Sequence, residues 1–234
     1  GESGSFALEE NKRHLVIIVT YNFALRRTMK KEDGDFFKEL CKQLPKDDLA
    51  TVQMVVPAEG GLAELTIDMD NCADLPPETF FNEQCGPLSG TDDSCDQNVT
   101  TALILAKMSE MNRNSRLLII TNRGLGDFGN MNNLAAIRKL ATAMHIQIHS
   151  LAYSPEKPGE LAIYSEPPYA ALHNLATSTL GFFITPYAAD GSDRKFGRDG
   201  TTEVVKNLVT LFFDASVIAT ESGEGRFFYF KFKP

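Results

Sequence analysis

The 234-residue chain carries 31 acidic and 23 basic side chains, a formal charge of −8, and is 43% hydrophobic. Those proportions describe one large folded domain or two small ones and exclude general disorder. The acidic balance excludes a broad nucleic-acid face, which draws on Lys and Arg, and the apolar runs Leu15 to Val19 and Leu117 to Ile120 fall far short of the roughly 18 residues of a membrane span.

Residues 1–12 read as an N-terminal extension. His14 to Thr20 (HLVIIVT) is a continuous β-branched and apolar run, the pattern of a strand buried on both faces of a parallel sheet. The basic cluster Arg26, Arg27, Lys30 and Lys31 reads as a solvated helix face. Asp35 to Leu44 places Phe36, Phe37, Leu40, Cys41 and Leu44 at helical spacing, and Pro45 closes that helix. Thr51 to Val56 and Leu62 to Met69 read as two strands joined across a Gly-rich turn, an antiparallel hairpin. Residues 71–96 break the pattern as an irregular insertion holding Cys72, Cys85 and Cys95.

Val99 to Met111 resumes helical periodicity, with Ala102, Leu103, Leu105, Ala106 and Met108 as packing positions. Arg116 to Thr121 is the next buried strand, Leu134 to Met144 a helix, Ile146 to Ala152 a strand, Tyr169 to Ser178 a helix and Phe182 to Thr185 a strand. Thr201 to Phe213 is a last helix, and Arg226 to Lys233 alternates as a strand within a C-terminal β segment, 216–234, that joins the sheet or opens a following domain. This alternation predicts an α/β fold: a Rossmann-like three-layer sandwich with a mostly parallel central sheet, one antiparallel edge strand and helices on both faces.

In such a sheet, ligands bind beyond the carboxyl ends of the central strands. Two loops qualify: Thr20 to Leu25 after the first strand and Asn122 to Asn130 after RLLIIT. With a hairpin in second and third place and a strand ending in Thr121-Asn122-Arg123-Gly124, the chain resembles the von Willebrand factor A family over residues 13–215. The resemblance implies a divalent-cation site built from an Asp-x-Ser-x-Ser loop, a Thr before the third helix and an Asp in a Thr-Asp-Gly turn. The matching positions here are Thr20, Asn22 and Ala24, then Gln97, then Asn122, and none is a carboxylate. A hard cation gives up water reluctantly and is held with carboxylate charge, so the site is expected to be degenerate, with no metal and no cofactor. The solvated acidic loop around Asp92, Asp93 and Asp96 matches no calcium-loop spacing.

What remains for recognition is protein contact. Tyr21 and Phe23, flanking Asn22, offer apolar faces, and Asn122 and Arg123 border them from the second loop. The implied function is a non-enzymatic protein-binding module of an adhesion, matrix or receptor-associated protein, loosely similar to the extracellular A domains of hemicentin and the secreted chloride-channel regulators, with contact to neighbouring domains open. Cys41, Cys72, Cys85 and Cys95 form an even set that permits full disulfide pairing, and Asn98-Val99-Thr100 is a glycosylation sequon; both point to an extracellular setting. The alternative is an intracellular scaffold subunit, comparable to metal-free A domains in Ku or in transcription and repair assemblies.

A third reading is a nucleotide-dependent enzyme, since Gly124-Leu125-Gly126-Asp127-Phe128-Gly129 fits G-x-G-x-x-G. Gly129, however, falls before the following helix, which defeats the third glycine's packing role. His145 and His149 sit in or beside one strand without a neighbouring Cys or carboxylate, and no nucleophile motif occurs.

Overall fold

Leu15 to Val19 are completely buried, which only the centre of a sheet covered on both faces allows. They belong to β1 (Arg13–Val19) of a computed structural model that describes residues 13–20, 40, 42–43, 50–58, 61–67, 98–152 and 167–184. The extension 1–12, the insertion 71–96, the helix expected over 201–213 and the C-terminal segment 216–234 lie outside the described residues. Of the helix expected over 35–44, Leu40, Lys42 and Gln43 are described as helical, with Leu40 buried and Lys42 exposed.

β2 (Ala50–Ala58) and β3 (Gly61–Ile67) form an antiparallel pair whose register ends on Ala58 opposite Gly61. The chain then runs through α1 (Thr101–Met108), β4 (Arg116–Thr121), α2 (Met131–Met144), β5 (Gln147–Ala152), α3 (Pro167–Ser178) and the short β6 (Phe183–Ile184). The six strands lie in the order β3-β2-β1-β4-β5-β6, and every pairing other than β2 with β3 is parallel. β3 is therefore an antiparallel strand at one end of an otherwise parallel sheet.

The helices α1, α2 and α3 pack on one face. Val16 and Ile18 of β1, Val55 of β2, Leu117 and Ile119 of β4 and Ile148 of β5 form one cluster with Ile104 and Met108 of α1, Leu134 and Ile137 of α2, and Leu172 and Leu175 of α3. The alternate residues Leu15, Ile17, Leu118, Ile120 and Leu151 are buried as well, so the opposite face is also covered. α2 and α3, which follow β4 and β5 in the chain, lie on the first face. Each fully buried Leu or Ile in these layers contributes about 1.5–3 kcal/mol.

Helix limits follow from caps. Thr100, in extended conformation, accepts from the Leu103 backbone N–H and starts α1 later than the apolar pattern from Val99 implies. Asn130 accepts from the N–H groups of Asn132 and Asn133 and starts α2 at Met131, ahead of the first apolar position. Pro167 and Pro168 fill the first turn of α3, where a missing N–H costs nothing. His145, left-handed at φ 53°, ends α2.

The packing side of α1 agrees only in part with its apolar pattern. Met108 is buried and Leu105 packs on the core, but Ala102 and Ala106 are exposed and Leu103 half-buried, while Thr101, Ile104 and Lys107 turn inward. Lys107 draws α1 into this orientation. Its side chain is 1% exposed, and Nζ lies 2.6 Å from Glu64 Oε1 and 3.2 Å from Glu110 Oε2. Gln53 Nε2 donates to the other Glu64 oxygen at 2.9 Å, so the charge pair ties the β2–β3 hairpin to α1.

Removing one partner of a buried charge costs more than removing both. Glu64→Leu is expected to destabilise by about 1–3 kcal/mol, and adding Lys107→Met should recover most of that loss. Urea denaturation of the two single variants and the double variant measures the cycle; additive losses would contradict the pairing.

Candidate functional site

The strand order reverses its direction of travel between β1 and β4, which places the crevice of this fold beyond Val19 and Thr121. Thr20 prolongs the pairing there, its N–H donating to the Ile120 carbonyl at 2.8 Å. Its side chain is fully buried, and its hydroxyl has no hydrogen-bond partner among the described residues. Asn122 is 4% exposed and forms part of the crevice floor; its carbonyl accepts from the Tyr169 hydroxyl of α3 at 2.7 Å. Arg123 is exposed, and its N–H donates to Thr121 Oγ1 at 3.1 Å. Of the residues expected at the site, Tyr21, Asn22, Phe23, Ala24 and Gln97 lie outside the described residues, as do Cys41, Cys72, Cys85 and Cys95.

The loop after β4 is bound to the start of α1 through Asp127. Its carboxylate accepts from the Thr101 N–H at 3.1 and 3.2 Å, from the Thr101 hydroxyl, and from the Gly129 N–H at 3.4 Å. Asn133 Nδ2 donates to Thr101 Oγ1 at 3.0 Å, joining α2 to the same point. A negative charge at a helix N-terminus meets both the unpaired N–H groups and the dipole. Gly126 N–H donates to the Val99 carbonyl at 2.8 Å and Leu125 N–H to the Pro168 carbonyl at 3.2 Å, so the loop is fastened to both neighbours. Nothing in the local sequence pattern marked Asp127 for this role; only the closeness of two segments 26 residues apart does.

The three glycines of the G-x-G-x-x-G spacing serve this packing. A Cβ on Gly124, which has φ +71°, would stand 2.5 Å from Pro168 Cβ; one on Gly126, 2.5 Å from Asn98 Cβ; and one on Gly129, at φ +78°, 2.6 Å from Ala171 Cβ. In a dinucleotide site such glycines let backbone approach a pyrophosphate. Here the space they leave holds Pro168, Asn98 and Ala171. The Asn98 side chain of the glycosylation sequon is half-buried over Gly126, with its amide oxygen buried and without a hydrogen-bond partner among the described residues.

Thr20 and Asn122, the described positions matching the family's cation ligands, are neutral and buried. Asp127, the nearby carboxylate, is committed to Thr101 and Gly129. Among the described residues, no three His, Cys, Asp or Glu side chains come together as a metal-binding group. His145 and His149 do not share a face: the first is the exposed cap of α2, the second a fully buried residue of β5.

His149 Nδ1 accepts from the Phe182 N–H at 3.1 Å, and the two rings lie 4.2 Å apart. Burial, with a smaller contribution from Arg116, pushes its pKa down to about 3. His14 is also lowered, by burial and then by Lys107.

No profile of a known protein family matches the chain, and no curated protein matches it by sequence. Among solved structures, the human COPII-coat protein Sec24c is similar with a TM-score of 0.50 at 14% sequence identity, over 84% of this chain and 32% of Sec24c. The chain thus spans about a third of that protein's length. At this identity the likeness concerns the fold alone, an α/β Rossmann-like sandwich.

Two measurements follow. Asp127→Ala removes the acceptor from the α1 N-terminus and is expected to destabilise by about 1–3 kcal/mol, read by urea denaturation. For His149 the folded pKa of about 3 lies below the unfolded value, so between roughly pH 6.5 and 3 the unfolded chain binds the extra proton. Its contribution is complete above that window and is lost as pH falls through it. The urea midpoint should therefore drop with acidification, and drop less in His149→Asn.

Proposed function

We propose that this chain is a non-enzymatic, protein-binding domain that acts as a scaffold and holds its partner without a bridging cation. The observation that carries this reading is the commitment of Asp127 to the α1 N-terminus. A cation at the switch point needs carboxylate charge; the matched residues Thr20 and Asn122 have none, and the loop's one carboxylate serves the fold. The glycine spacing that favours a nucleotide is filled by Pro168, Asn98 and Ala171, which supports a binding rather than a catalytic role. The residues put forward for contact are Tyr21, Asn22 and Phe23, which follow β1 in sequence, with Asn122 and Arg123 of the loop after β4.

Similarity to a coat protein is compatible with membership of a multiprotein assembly. The extracellular adhesion or matrix reading keeps its own support in Cys72, Cys85 and Cys95 and in the Asn98 sequon. The position of the Asn98 amide over Gly126 crowds a glycan there and favours the scaffold.

Affinity capture on the tagged full chain, with and without chelator, tests the reading. The same bound protein is expected in both, less of it with Tyr21→Ala or Phe23→Ala, and no saturable Mg²⁺ or Mn²⁺ binding by calorimetry. Stoichiometric cation binding, or capture abolished by chelator, would overturn it. Thiol titration of the denatured, unreduced natural protein separates the compartments: four free thiols favour the scaffold, none the extracellular module.

A further inference from the structure

We draw no further inference here: the strongest candidate, the exposed apolar patch of Phe128 and Met131 where the loop after β4 enters α2, carries nothing, because nothing in the structure shows what covers it.

Discussion

A helix that starts inside a protein exposes backbone N–H groups that demand an acceptor, and here Asp127 meets that demand for α1 from the far side of the crevice. The rest of the site follows from this bond. To deliver the carboxylate, the loop after β4 must lie against residues 98–101, where only a glycine at 126 fits over Asn98. To turn back into α2 it must pass α3 closely, which Gly124 and Gly129 permit through positive φ and the lack of a side chain. An anion at a helix N-terminus is also how folds of this layout hold phosphate. With the anion supplied by the chain itself, that position is structural.

α1 is eight residues long, too short to persist in water by its own hydrogen bonds. It is held at both ends by polar groups whose partners come from elsewhere in the sheet layer. Asp127 takes the amino end, and Glu64 takes Lys107 at the carboxyl end, 43 residues away in sequence. Between them Ile104 and Met108 supply the apolar contact. His14 lies near the Lys107 end, and its imidazole accepts from the Asn112 N–H at 3.3 Å, consistent with a ring kept neutral beside a cation. The sheet face under α1 thus grades from polar at the amino ends of the strands to apolar at its centre.

The central strands were legible because HLVIIVT and RLLIIT are continuous apolar runs rich in Val, Ile and Leu, a pattern that suits burial on both faces. The hairpin was legible from its glycine turn. The orientation of α1 was not, because a lysine at position 107 reads as a solvent marker, and only a carboxylate brought from β3 makes its burial tolerable. Helix starts shifted for a similar reason: Thr100, Asn130 and the Pro167-Pro168 pair act through caps and first-turn geometry that apolar spacing ignores. At the site, the neutral character of Thr20 and Asn122 was plain from their identities. The Asp127 bond was hidden, since it joins two segments that only the folded sheet brings together.

Loss of carboxylate at a switch point changes what a partner must bring. A carboxylate entering this crevice would meet the neutral oxygens of Thr20 and Asn122, the charge of Asp127 and a chain already at −8. Binding free energy at such a surface has to come instead from apolar side chains that need little ordering on contact. That requirement is met by a loop already fixed by Asp127 and three packed glycines. The same bond that occupies the loop's carboxylate also fixes the backbone that carries Phe128, so one interaction sets both the charge of the loop and its shape.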